Sequence, residues 1–102
     1  MTPIDLAETA DALPQAWSSL PLGLPGPAAL KVLRMDGRPL PPERHDAPEA
    51  LLVLDGVLRL VAGGVPVEVR AGQLFVVGAG VEHSVAPGSL GTLVLFEAAA
   101  AG

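Results

Sequence analysis

Residues 37–56, GRPLPPERHDAPEALLVLDG, decide the fold that this chain predicts. Proline cannot donate to a sheet ladder, so the Pro-rich part, 37–42, predicts an irregular segment or an edge strand. The apolar run 51–54 predicts a core strand. The Asp55-Gly56 pair that ends the stretch marks either a tight hairpin turn or a bulge in one long bent strand, and the local pattern leaves both open.

The same strand pattern extends on both sides of this stretch. Gly63-Gly64 suits a tight hairpin turn between two of the strands. Short apolar or alternating runs separated by turn residues at nearly regular spacing indicate an all-β sandwich or barrel. The predicted strands are 28–35, 51–54, 57–62, 65–70, 74–77, 84–86 and 90–96.

The chain divides into three parts on this pattern. Residues 1–27 form an N-terminal segment packed on the barrel, with a short helix that stops near Pro14 and an extended connector over 18–27. Trp17 is expected to pack this segment against the barrel, because a single large ring buries much area in an aromatic-poor core. Residues 28–98 form the barrel, and residues 99–102 are expected to fray.

Composition limits the class of protein. The chain has 102 residues, the length of one domain, and its 12 Gly and 11 Pro exclude a mostly helical fold. Half of the residues are apolar and 17% are charged, which argues against disorder. The net charge is −5 and the six basic residues form no cluster, so we expect no nucleic-acid partner.

The sequence also indicates a compartment. It contains no cysteine, which removes disulfides and thiolate zinc sites and fits a reducing compartment. No apolar run approaches the length of a transmembrane helix, about 18 residues. The first thirteen residues carry three acids and no Lys or Arg, which is the wrong sign for a signal peptide. We therefore predict a soluble cytoplasmic protein with no membrane partner.

The candidate site residues are Glu43, His45, Glu49 and His83. The first three share one face if the chain is extended, because strand side chains alternate with a period of two, and His83 would come from a neighbouring strand. Two imidazoles with one or two carboxylates suit a divalent first-row metal ion. The alternatives are two ordinary polar histidines at a barrel mouth and a solvated Glu43 that pairs with a basic neighbour.

Two motifs in this sequence resemble those of the small single-domain cupins. The first is Gly37, five residues, Glu43-Arg44-His45, three residues, Glu49, six residues and Gly56. The second is Gly72, five residues, Gly78-Ala79-Gly80, two residues, His83, three residues and Pro87. The fifteen residues between the motifs match the short separation that is typical of bacterial members. This chain departs from the family pattern at Glu43, where cupins have His, at Gly78, where they have Pro, and at Pro87, where they have Asn.

The resemblance implies a jelly-roll β-barrel that forms a homodimer. A barrel of about eight strands can hold one small-molecule ligand in its mouth, and we expect Leu51, Val53 and Val85 to line it. It implies a metal on three His and one Glu, which carries over as Glu43, His45, Glu49 and His83. A carboxylate in place of the first His still suits Fe, Mn, Ni or Zn and shifts the preference towards the harder ions Mn and Fe(II).

The function predicted on this basis is a metal-dependent oxygenase, isomerase or lyase that acts on a small molecule, with Glu43 as fourth ligand or as catalytic general base. The first alternative is a metal-free ligand-binding cupin in which the altered first motif marks a decayed site. The second is a regulatory domain that works through its dimer surface. Because cupin folds host many activities, the reaction itself stays open.

Overall fold

The computed structural model describes residues 3–22 and 28–98. Eight strands form one curled sheet, and one short helix precedes them, as the all-β pattern predicts. The elements are α1 (Leu6–Asp11), β1 (Leu20–Pro21), β2 (Ala28–Asp36), β3 (Leu40–Glu43), β4 (Glu49–Ala62), β5 (Val65–Arg70), β6 (Leu74–Val77), β7 (His83–Val85) and β8 (Leu90–Ala98). The fraying predicted for 99–102 falls outside the described residues.

Strand β4 is the central strand of the sheet and pairs with four others. The strand order is β1-β2-β8-β4-β7-β3, and β5 and β6 also pair with β4. The first half of β4 pairs with β8 and β6. Its last six residues pair with β5, and the last three of these also pair with β7, always antiparallel. Strand β3 ends the path, so the Pro-rich segment forms an edge strand, where prolines cost no ladder bond.

A bulge settles the alternatives for Asp55-Gly56. The two predicted strands 51–54 and 57–62 are one strand of 14 residues, and its register with β8 shifts between Val53 and Asp55. Gly56 lies opposite Gly91 with φ of +80°. A Cβ at Gly56 would lie 1.8 Å from the carbonyl oxygen of Leu90, so only glycine fits this bend. The bend lets the two halves of β4 pair with different strands and curls the sheet.

Two apolar clusters hold the sheet. The larger cluster fills the inside of the curl and is aliphatic apart from the sulfur of Met35, as the shortage of aromatics predicts. It contains Leu33, Met35, Leu51, Val53, Leu58, Leu60, Val69, Val77, Val85 and Leu93. The smaller cluster lies on the outer face, where Ala10 of α1 packs on Val32 and Val94. Burial of these side chains, at about 1.5–3 kcal/mol each, supplies the main driving force for folding.

The N-terminal segment crosses from the outer face to the mouth of the curl. Asp5 caps α1 by accepting a hydrogen bond from the Glu8 backbone N–H at 2.9 Å. The helix ends three residues before Pro14, and the Arg34 guanidinium donates to the carbonyl oxygens of Ala10 and Leu13 at 3.0 and 2.8 Å. Within the described residues, no helix is long or apolar enough to cross a bilayer.

Candidate functional site

Four donor side chains converge at the mouth of the curl. Glu43 ends β3, and His45 follows in the loop before β4. Glu49 begins β4, and His83 begins β7. Glu43 and His83 are register partners across β3 and β7, which places their side chains side by side. The structure therefore brings together all four residues that the sequence singles out.

The distances describe a compact cluster. His83 Nε2 lies 3.1 Å from Glu49 Oε1 and 3.8 Å from Glu43 Oε1. His45 Nε2 lies 3.4 Å from Glu43 Oε1 and 4.0 Å from Glu49 Oε1. The two imidazole rings are 5.2 Å apart, and their planes are tilted by 48°. Ligand atoms at about 2.0–2.2 Å from one ion are roughly 3–4 Å from each other, so this spacing fits a shared cation.

The orientation of His83 supports the same interpretation. Its Nδ1 lies 3.0 Å from the carbonyl oxygen of Val81, and a carbonyl can only accept, so Nδ1 carries a proton. The buried Nε2 has no hydrogen-bond partner among the described residues, although Glu49 Oε1 is close. An imidazole with one nitrogen bonded to a carbonyl and the other aimed into an acidic cluster has the arrangement of a metal ligand.

A loop, not a strand, carries His45. A shared face for Glu43, His45 and Glu49 requires extended chain from 43 to 49, but strand β3 ends at Glu43 and the next strand begins only at Glu49. The Gly80 backbone N–H donates to the His45 carbonyl oxygen at 2.7 Å and ties this loop to the second motif. Glu82 points away from the cluster and pairs with Arg44 at 2.7 Å.

A cavity of about 200 Å³ lies beside the cluster. Its floor and walls are aliphatic: Leu33, Leu40, Leu51, Leu58, Leu60, Val85, Leu93 and Leu95. Leu51 and Val85 line it as predicted. The prediction for Val53 is wrong, because this residue is fully buried in the larger apolar cluster and does not reach the cavity. An aliphatic wall next to polar donors is the usual make-up of a small-molecule site.

The cavity lining also holds two charges that the sequence interpretation missed. Lys31 of β2 and Glu97 of β8 form an ion pair and both line the cavity. Strand alternation was the available signal: Lys31 shares the inward face with Leu33 and Met35, where an aliphatic residue would be expected. A lysine on an inward face is rarely buried without a partner.

Trp17 closes part of the mouth. It is half-buried, packs against the larger apolar cluster and lines the cavity. Its backbone has φ of +63°, which is costly for a residue with a side chain. Two hydrogen bonds of 2.8 Å hold it there: its backbone N–H donates to the Arg34 carbonyl, and its indole N–H donates to Asp36 Oδ1. The backbone N–H of Arg38, followed by this indole N–H and the Arg38 charge, lowers the pKa of Asp36.

The donor set fits a divalent ion. Glu43, His45 and His83 offer one ligand atom each within 4.8 Å of one another, and Glu49 lies against both imidazoles. The cavity carries three carboxylates and one ammonium, which leaves two negative charges when the imidazoles are neutral. One divalent cation would balance them. Mixed imidazole and carboxylate ligands suit Mn, Fe, Ni or Zn.

Comparison with known proteins agrees with the fold. A family described as "Cupin domain" matches residues 33–97. A protein from Shewanella frigidimarina that contains a cupin-2 domain superimposes with a TM-score of 0.84 at 21% identity, over 94% of each chain. A protein from Neisseria meningitidis superimposes with a TM-score of 0.82 at 19% identity, over 96% of this chain and all of the other. No curated protein matches this chain.

A third solved structure is an enzyme. The salicylate 1,2-dioxygenase of Pseudaminobacter salicylatoxidans superimposes with a TM-score of 0.65 at 19% identity, over 71% of this chain and 21% of the other. At such identities these neighbours establish the fold alone. They confirm the predicted cupin jelly-roll.

Proposed function

Because this chain belongs to the cupin domain family, we propose that it holds a divalent metal ion on Glu43, His45, Glu49 and His83. We further propose that a small, mostly apolar molecule binds beside the ion. The observation that carries this proposal is His83 Nε2, which is buried without a hydrogen-bond partner among the described residues and faces both carboxylates. A buried polar atom without a partner costs free energy, about 1–3 kcal/mol, that a bound ion would recover.

Each residue has a distinct part in this proposal. Glu49 and His83 are buried and form the fixed side of the site. His45 and Glu43 complete it from the exposed side, with Glu43 as fourth ligand or as general base. A bound ion supplies a Lewis acid that polarises an oxygen of the bound molecule. The aliphatic wall keeps water away from that molecule, and a carboxylate at Glu43 can accept a proton from it.

An oxygenase, an isomerase and a lyase would all use such a site. The fold shared with a dioxygenase supports the first of these by analogy. The cavity is small and open at the mouth, so it suits a small molecule or the apolar end of one. The proposed substrate class is therefore a small molecule with an apolar body and at least one oxygen that faces the cluster.

Metal titration tests the proposal. We expect Mn²⁺ or Fe(II) to bind with a stoichiometry of one and to raise the melting temperature, because an ion that binds only the folded state stabilises it. The control is an H45A/H83A variant, whose melting temperature should not respond to either ion. Absence of binding by the unchanged protein, under conditions where it is folded, would remove the proposal.

A metal-free ligand-binding protein is the second candidate. The aliphatic cavity favours it, because apolar walls bind small molecules without an ion. Elemental analysis of the protein as purified separates the two candidates. A stoichiometric metal favours the first, and metal-free protein that binds small apolar molecules favours the second.

We also propose that the chain forms a homodimer in a cytoplasmic setting. Support for the dimer comes from the outer face of the sheet beside α1, where several apolar side chains are more than a third exposed: Leu54, Leu74, Val76 and Phe96. Ala50 of β4 lies opposite both Val76 and Phe96, so these residues form one continuous strip. Contiguous apolar surface of this kind marks interaction sites. Light scattering should give twice the chain mass, and F96E should give the monomer mass.

A further inference from the structure

The Lys31–Glu97 ion pair stands out in the cavity wall. Both side chains are about a quarter exposed, and they project from β2 and β8 into a surface that is otherwise aliphatic on this side. Holding charges at such a place costs desolvation, which an apolar pair of residues would avoid. Packing alone therefore does not explain the pair.

The register of the sheet connects this pair to the cluster. Glu97 of β8 lies directly opposite Glu49 of β4. Opposite residues on neighbouring antiparallel strands have Cβ atoms about 4.5–5.5 Å apart, and like charges there repel each other. Glu49 is buried, so water screens this repulsion poorly. Lys31 is the basic side chain of the cavity lining, and it binds the carboxylate that faces Glu49.

We propose that the Lys31–Glu97 pair sets the electrostatic potential at Glu49 and thereby tunes the affinity of the cluster for a divalent cation. Lys31 and Glu97 are positioning residues that act through Glu49 and do not touch the ion. This inference rests on the proposed metal site and adds two residues to it. Lys31 stabilises the metal-free site by neutralising Glu97. It also keeps the affinity for the ion lower than it would be if Glu43, Glu49 and Glu97 were all unpaired.

The proposal predicts changes of opposite sign. K31M leaves Glu97 as an extra negative charge beside Glu49, so cation affinity should rise. E97Q leaves Lys31 as an unpaired positive charge at the cavity, so cation affinity should fall. The K31M/E97Q double variant removes both charges and should return close to the original affinity. A merely structural role would instead lower affinity in both single variants, through a distorted site.

The experiment is a calorimetric titration of the full chain with Mn²⁺, which is one of the ions that the donor set suits. We expect a roughly three- to tenfold gain in affinity for K31M and a similar loss for E97Q, as charges one strand apart from the ligand would produce. K31R keeps the charge and should match the original protein.

Matched variants control for net charge. R70Q and E68Q make the same charge changes at an exposed ion pair outside the cavity lining, and they should leave the affinity unchanged within about twofold. A measurement on the metal-free protein tests the repulsion between Glu97 and Glu49 directly. K31M should lower the stability of the metal-free protein, and adding E49Q to that variant should recover most of the loss.

The outcomes separate the two proposals. Unchanged protein that binds no Mn²⁺ overturns the proposed function, and the affinity claim falls with it. Binding by the unchanged protein, with K31M and E97Q shifted in the same direction or by less than twofold, overturns this inference alone. Opposite shifts that vanish in the double variant support it.

Discussion

The two halves of the candidate site differ in how the chain holds them. Glu49 and His83 lie on β4 and β7, and their side chains are 8% and 6% exposed. Glu43 and His45 lie at the end of β3 and in the loop after it, with side chains that are 59% and 44% exposed. Strands fix the buried pair before anything binds, whereas the exposed pair can adjust. The comparison suggests that affinity depends on the buried pair and adaptation to a ligand on the exposed pair.

The largest effect on stability is expected at the bulge between β4 and β8, because this bulge bends the strand that begins with Glu49. A Cβ at Gly91 would lie 2.0 Å from the Asp55 carbonyl oxygen, with φ of +110°. G91A should lower the free energy of unfolding by about 3 kcal/mol or more, because backbone must move at the bulge that bends β4. Urea denaturation measures this loss.

G64A is the matched control for that variant. Gly64 has φ of +79°, but a Cβ there would meet nothing within 4 Å. Its loss should be the cost of the backbone conformation alone, about 1–2 kcal/mol. Equal losses in the two variants would show that the close approach at the bulge does not matter.

The second effect compares the two histidines. H83Q should reduce Mn²⁺ affinity by more than about 100-fold, because it removes a ligand whose orientation the Val81 carbonyl fixes. H45Q should reduce it by about tenfold, since a water molecule can replace an exposed ligand on a loop. Titration of both variants decides, and a larger loss for H45Q would reverse the ranking of the two halves.

The third effect separates the two roles of Glu43. As a ligand, Glu43 should bind the ion, and E43Q should lower Mn²⁺ affinity by several-fold, though less than E49Q does at the buried position. If Glu43 acts as a general base alone, E43Q should leave the Mn²⁺ affinity unchanged within about twofold. Titration of E43Q and E49Q side by side makes the comparison, with E82Q as a control for a neighbouring exposed carboxylate that pairs with Arg44.

The smallest effect concerns the hydrogen bond between the Trp17 indole in the cavity wall and the exposed carboxylate of Asp36. Because the pKa of Asp36 is lower in the folded protein, its ionised form stabilises the fold above the usual Asp range. That contribution is lost as the pH falls below about 4, towards the lowered value. D36N lacks this contribution, so its free energy of unfolding should be lower than that of the original protein at pH 6. The difference should be smaller at pH 3. Denaturation at both pH values tests this, and a constant difference would contradict it.

Local patterns predict much of this fold, and pairing between distant strands explains most of what they leave open. The edge strand at Pro41-Pro42 and the hairpin at Gly63-Gly64 follow from the chemistry of the residues themselves. The choice between hairpin and bulge at Asp55-Gly56 does not, because an Asp-Gly pair suits both a tight turn and a bulge. Gly91, 35 positions further along the chain, decides it by approaching closely enough to exclude a side chain.

The candidate site shows the same division. The motif spacing singles out all four donors, but strand alternation gives the wrong reason for His45, which a loop brings to the cluster. Alternation also carries a signal at Lys31 that a search for metal ligands passes over. No local pattern predicts that Glu97 lies opposite Glu49, because the register between β4 and β8 depends on how the whole sheet is assembled.

Trp17 gives this protein a built-in optical reporter. It is the single tryptophan of the chain, and its indole forms part of the cavity wall. A molecule that binds in the cavity against this ring changes its surroundings, and the fluorescence emission of tryptophan responds to such a change. Binding of unlabelled compounds can therefore be followed directly, and a compound collection can be screened before the reaction is known.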